Sequence, residues 1–168
     1  MLSYIEGEVA GRPRPLWTGD EDRMVSVARL VRAYDDAAAT FVPPEGLNPV
    51  DGFPEVADIP PAPPYEPELI GHVDITPENV VFRDANAFAL IDFDLAKPAT
   101  RADEMFNVML WWAPLFDPRD VEPLLRGLNV PRRCRMLADA YGMSARGRRS
   151  RRPQASGSVD WEASSRSG

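Results

Sequence analysis

Apolar residues recur at helical spacing in the first quarter of the chain, where Met24, Val27, Ala28, Val31, Tyr34, Ala38 and Phe41 fall on one face. Thr18 followed by Glu21 has the form of a capping box, and Pro43 and Pro44 cannot continue a helix. The pattern predicts a helix from Thr18 to near Phe41. Ahead of it, Leu2, Tyr4 and Ile5 alternate before Gly7, as in a short extended piece. Residues 42–67 include Pro60, Pro61, Pro63, Pro64 and Pro67 and predict a proline-rich surface loop. The period then changes to that of a strand. Asn79–Phe82 and Phe88–Phe93 flank the turn-rich run 83–87, which reads as a β-hairpin. Helical spacing returns over 103–112, with Met105, Phe106, Met109 and Trp112 on one side. A further helix is expected from Asp117-Pro118 to near Gly127, and another from Pro131 to Tyr141, ending at Gly142. From Ser144 to Gly168 the chain is Ser, Arg and Gly with almost no apolar residues, so a disordered tail is expected.

Composition narrows the class. A chain of 168 residues is about one domain long and large enough for a real core. Its net charge of −7 argues against a nucleic-acid or anionic-membrane binder. The tail 144–168 holds six Arg against Asp160 and Glu162, a balance of +4, which leaves the remaining body at −11. An acidic body suits a cationic substrate, and a solvated acidic surface accounts for the same charge. Cys134 is the single cysteine, so no disulfide forms within the chain. The amino terminus lacks the basic-then-apolar pattern of a signal peptide, and the longest apolar run, 106–116, is interrupted by Asn107 and Pro114. A soluble, cytoplasmic protein is expected, without nucleic-acid or membrane partners.

Two scarcities exclude whole chemistries. His72 is the only histidine and Lys97 the only lysine. A zinc site of several His and Cys is therefore ruled out, as is a phosphate-binding loop that ends in Gly-Lys-Ser/Thr.

The informative segment is Gly71-His72-Val73-Asp74-Ile75-Thr76-Pro77-Glu78-Asn79, followed after the hairpin by Leu90-Ile91-Asp92-Phe93-Asp94. A hairpin brings its ends together, so Asn79 and Asp92 should be neighbours in space. A carboxylate beside an amide oxygen suits Mg²⁺, which takes few protein oxygens and completes its shell with water and phosphate. Asp74, one loop turn away, would accept a proton from an attacking hydroxyl or orient it.

The order His-x-Asp, an apolar residue, three more residues and Asn resembles the catalytic loop of protein kinases. Pro77 before Glu78-Asn79, with Asp92-Phe93-Asp94 in place of Asp-Phe-Gly, is more similar to the aminoglycoside phosphotransferase and choline kinase-like family. That resemblance implies an α+β, mainly α-helical fold, the C-terminal lobe of a protein-kinase-like fold with one small β-hairpin, over residues 1–143. Residues 1–10 correspond to the hinge and residues 68–97 to the catalytic and metal segment. It implies Asp74 as catalytic base, His72 as a brace for the loop, and Asn79 and Asp92 as ligands of Mg²⁺ with ATP. The γ-phosphate would pass to a hydroxyl of a small-molecule acceptor, aminoglycoside- or choline-like. The family usually carries Gly where Val73 stands, and Asp94 replaces the glycine of protein kinases, a change the small-molecule enzymes tolerate. No glycine-rich strand pair with a lysine precedes the hinge-like segment. A truncated phosphotransferase without its nucleotide lobe is therefore expected, with apolar surface and self-association where that lobe would pack. The alternative is an inactive remnant or binding module on the same scaffold.

Overall fold

A computed structural model describes residues 4–42 and 66–143, which fold as an α+β unit of three helices and four short strands. Most of the proline-rich segment and the whole Ser/Arg-rich tail lie outside the described residues.

Helix α1, Glu21–Ala38, buries Met24, Val27, Ala28 and Val31 as its spacing predicts. Its cap differs from the expected one. Asp20 directly precedes the helix, and its carboxylate accepts from the Asp22 N–H at 2.8 Å. Thr18 sits one turn earlier, in a 3-10 turn over Leu16–Gly19, and its hydroxyl donates to the Pro15 carbonyl. The nearer carboxylate takes the free amide, so no Thr18–Glu21 box forms. The helix also stops short of Phe41, which is exposed. There the Thr40 hydroxyl and the Phe41 N–H bond back to Ala37 and Ala38 and tighten the last turn.

The hairpin is present, with a shorter turn than expected. Strand β2, Val80–Arg83, pairs with β3, Asn86–Leu90, across a turn of only Asp84 and Ala85. Both turn residues have positive φ, 48° and 61°, which gives a turn that matches the twist of the strands. β3 ends at Leu90, three residues before the predicted Phe93. Residues 4–10 add to the hairpin edge, where Glu8 and Phe82 exchange backbone hydrogen bonds of 2.9 and 2.7 Å.

A second ribbon was not predicted. β1, Leu69–Gly71, pairs antiparallel with β4, Lys97–Ala99. The two strands bracket the candidate segment and close it into one loop system.

Helix α2, Arg101–Trp112, starts two residues earlier than its apolar spacing suggests. Thr100 and Asp103 form a reciprocal capping box. Met105 and Trp112 are buried, whereas Phe106 is exposed. The expected helix over 117–127 is absent. Asp117 accepts from the Arg119 N–H and closes a single turn, Pro123 lacks the N–H a helix would need, and only a 3-10 turn over Pro123–Leu125 forms. Helix α3, Val130–Tyr141, is capped by Asn129 and ends at Gly142, whose φ of 85° suits a residue without a side chain.

The core lies among the three helices and β2, with Met24, Val31, Phe82, Met105, Trp112 and Leu137 at its centre. Arg133 is buried there, with no ion pair to an acidic residue among the described residues. Its guanidinium donates to the Trp112 carbonyl at 2.8 and 3.1 Å and to the Gly19 carbonyl at 2.8 Å, tying α3 to α2 and to the turn before α1. No helix among the described residues is long and apolar enough to cross a membrane. Tyr4, Leu16, Phe88 and Phe93 are exposed apolar or aromatic residues.

Candidate active site

The loop that leaves β1 is held from two sides. His72 is fully buried. Its Nδ1 accepts from the Asp74 N–H at 3.3 Å, which leaves the proton on Nε2, and Nε2 donates to the Ile91 carbonyl at 2.9 Å. The ring packs against Phe93 with centroids 4.5 Å apart. His72 thus joins the loop before the hairpin to the segment after it.

Val73 has φ of 51°, a conformation that costs a non-glycine residue about 1–2 kcal/mol and that a β-branched one rarely adopts. Helix α2 holds it there. The Val73 N–H donates to Glu104 Oε1 at 2.9 Å, and its carbonyl accepts from Asn107 Nδ2 at 2.8 Å. Asn107 Oδ1 accepts from the Ile75 N–H at 2.6 Å, and the Trp112 indole donates to the Ile75 carbonyl at 2.9 Å. One helix face, through Glu104, Asn107 and Trp112, therefore grips the backbone on both sides of Asp74.

Asp74 is half-buried, and its Oδ2 accepts from Asn79 Nδ2 at 2.9 Å. The same Asn79 nitrogen donates to the Asp74 carbonyl, also at 2.9 Å. Asn79 closes the 3-10 turn over Pro77–Asn79, and its own carbonyl accepts from the Ile91 N–H at 3.0 Å. Ile91 is thus bonded to Asn79 through its N–H and to His72 through its carbonyl. Asp92 follows directly, exposed, with φ of 64°. The structure brings His72, Asp74 and Asn79 into direct contact, and Asp92 joins them through the Ile91 backbone.

Sequence reasoning missed the residues of α2 that hold this loop. The available signal was two polar side chains, Glu104 and Asn107, three residues apart on a helix whose neighbours Met105, Val108 and Trp112 are apolar. Glu104 is fully buried with no partner for Oε2, and burial pushes its carboxyl up to about 7. A side chain on Gly71 would place its first carbon 2.3 Å from Glu104 Oε1, so the close approach requires glycine. A second buried carboxyl, Asp35 on α1, accepts a hydrogen bond from the Tyr141 hydroxyl and is pushed up to about 6 by the same cause. On the other side of the loop, Glu78 pairs with Arg12 at 3.0 Å and lies 3.6 Å from Arg14, so the amino-terminal segment also touches the site.

A self-sufficient metal centre is not built here. Among the described residues, no cluster of three or more His, Cys, Asp or Glu side chains is arranged to hold an ion. The residues that could donate to a cation are Asp92, through its carboxylate, and Asn79, through the carboxamide oxygen, its nitrogen being engaged with Asp74. Such a sparse, all-oxygen set fits Mg²⁺ that completes its shell with phosphate and water.

The sequence pattern of the phosphotransferase enzyme family, APH, matches residues 2–137. The chain is 33% identical over 150 residues to the trifolitoxin immunity protein of Rhizobium leguminosarum bv. trifolii. That alignment covers 88% of this chain and 53% of the relative, so the chain spans about half the length of that protein. No solved structure matches significantly. With the match extending over most of its residues, the chain belongs to the phosphotransferase enzyme family.

Proposed function

We propose that this chain is the catalytic-loop half of an ATP-dependent phosphotransferase that acts on a hydroxyl of a small molecule, with the helical lobe of a kinase-like fold. One observation carries the reading: Asn79 is bonded to the Asp74 carboxylate and, through Ile91, to the backbone that precedes Asp92. Family membership supports the same chemistry.

In this reading Asp74 takes the proton of the acceptor hydroxyl. Its Oδ2 is fixed by Asn79, which leaves Oδ1 to receive it. His72 sets the angle between the base and the Asp92 segment, and Glu104 and Asn107 keep Asp74 from drifting, the positioning that phosphoryl transfer chiefly needs. The Asn79 oxygen and the Asp92 carboxylate hold the cation. When bound there, Mg²⁺ would offset the phosphate charge of the ATP that would supply the phosphoryl group.

The test is calorimetric titration with a non-hydrolysable ATP analogue, with and without Mg²⁺. Binding should require Mg²⁺, disappear in Asp92→Ala and persist in Asp74→Asn, which should lose only phosphate transfer. An unsubstituted chain that shows no Mg²⁺-dependent nucleotide binding, even when supplied with a separate amino-terminal lobe, would refute the reading. A second reading, a binding module without catalysis, is favoured by the name of the relative, which denotes immunity to a toxin. Transfer of phosphate from ATP to any hydroxyl compound, lost in Asp74→Asn, would exclude it. Self-association through the exposed apolar residues belongs to the same proposal. A concentration-independent monomer in analytical ultracentrifugation would remove it.

A further inference from the structure

A groove of about 530 Å³ runs beside the candidate loop, between β4 and the outer face of α2. Val73, Pro98, Phe106 and Leu110 give it an apolar lining, and its volume falls in the range of small-molecule sites. Val73 is joined by one peptide bond to Asp74, so an occupant that reaches past it arrives at the proposed proton acceptor. The polar groups of the lining already have partners within the protein. Thr100 and Asp103 satisfy one another in the capping box of α2. Asn107 uses both ends of its carboxamide on the Val73 and Ile75 backbone. Among the described residues, Lys97 and Asp103 are the charged lining residues, one of each sign, so the described lining has no net charge with which to select a cation; the Asp74 carboxylate lies just beyond it. Phe106 is 56% exposed and lines the groove, an apolar ring that an occupant would cover.

We infer that this groove is the acceptor site, and that it takes an uncharged hydroxyl compound with an apolar body rather than a sugar bearing several ammonium groups. The inference rests on the phosphotransfer reading only for which hydroxyl reacts. Occupancy of the groove is independent of nucleotide.

Three probes separate the possibilities: 2-phenylethyl glucoside, methyl glucoside with the same hydroxyls and no ring, and a tri-amino aminosugar. Binding to the full chain without nucleotide is read by saturation-transfer NMR and titration. The phenylethyl compound should bind about tenfold or more tightly than the methyl one, as expected when a ring is removed from water. Leu110→Asp should remove most of that advantage, and Phe106→Ala, at an exposed position, should reduce it with an unchanged melting curve. If Leu110→Asp does not fold, the Phe106→Ala comparison decides alone. Equal binding of the two glucosides, tighter binding of the aminosugar, or an advantage untouched by Phe106→Ala would overturn the inference. None of these outcomes depends on whether the chain binds ATP, so failure of the groove and failure of the phosphotransferase reading are told apart.

Discussion

The two halves of the candidate site are built differently. Around Asp74, Val73 and Ile75 have both backbone polar groups engaged, by Glu104, Asn107 and Trp112, and the Asp74 amide is bonded to His72. Around Asp92, the run 92–95 is exposed, held by the Ile91 bonds that precede it, the Phe93 ring against His72 and Tyr34, and one turn bond from Ala96 to Phe93. Under the proposed function, the difference matches what each half would have to do. A proton acceptor is useful only at a fixed angle to the hydroxyl, so its backbone must be held before any ligand arrives. A cation ligand gains further partners from the phosphates it helps to bind, and it has to face the solvent from which they come. Substitutions that remove the hydrogen bonds gripping the Asp74 loop should therefore cost stability, and substitution of Asp92 should cost binding alone.

The largest expected effect is Trp112→Ala. It removes a fully buried ring from the core together with the indole bond to Ile75. A loss of about 3–5 kcal/mol in urea unfolding is expected. A loss below about 1 kcal/mol would mean that α2 does not grip the loop. Asn107→Ala comes next. It leaves the Val73 carbonyl and the Ile75 N–H without partners at about 1–3 kcal/mol each where they are screened from water. A melting temperature as high as that of the unsubstituted chain would erase the contrast between the two halves.

Why α2 was only half legible is a matter of physics. The spacing of Met105, Met109 and Trp112 shows that a helix exists. It does not show that Glu104 and Asn107 point inward, because polar residues on a helix more often face water. The three-residue strands β1 and β4 were not legible either. Leu-Ile-Gly and Lys-Pro-Ala are too short for alternation to register, and proline and glycine argue against a strand. The helix expected after Asp117 came from a start signal without regard to Pro123, which interrupts it. In contrast, α1, α3 and the hairpin were readable, because apolar spacing, a glycine stop and a turn-rich run between apolar stretches mark them in the sequence. The approach of Asn79 to the segment that carries Asp92 was readable because a hairpin closes on its own ends, and it is seen in the bond from the Ile91 N–H to the Asn79 carbonyl. The positive φ of Val73 was not predicted; the resemblance pointed only to an unusual residue at that place.

The buried carboxyls make the gripped half sensitive to pH. Burial pushes Glu104 from 4.5 to about 7 and Asp35 from 3.8 to about 6. Between about pH 4 and pH 7 the unfolded chain ionises both while the folded chain resists. These two groups therefore contribute most to stability at the acid end and progressively less as pH rises to about 7. Above that they add no further slope. The exposed Asp36 and Asp117, held low by Arg32 and Arg119, act in the opposite sense at lower pH. Glu104→Gln keeps an oxygen for the Val73 N–H and removes the charge. It should flatten the decline above pH 4.5 and leave the chain about 2 kcal/mol more stable than its parent at pH 8. An unchanged slope would place the pH dependence elsewhere.

The smallest effect is the sharpest test of the contrast, because it compares the same substitution in both halves. Val73 and Asp92 each have positive φ, 51° and 64°. Glycine relieves the strain of that conformation, and it also adds freedom to the unfolded chain, which offsets part of the gain. The relief should be greater for Val73, since a β-branched side chain tolerates the left-handed region poorly whereas aspartate visits it readily. Val73→Gly should therefore stabilise the chain by about 1 kcal/mol and leave Mg²⁺-dependent nucleotide binding intact. Asp92→Gly should change stability by less than about 0.5 kcal/mol and abolish that binding. If Val73→Gly proves destabilising, the Val73 side chain contributes more to packing than its backbone costs, and the grip of Glu104 and Asn107 holds a side chain in place as much as a loop. If Asp92→Gly unfolds the chain, the exposed half is structural after all, and the division of labour between the two halves fails.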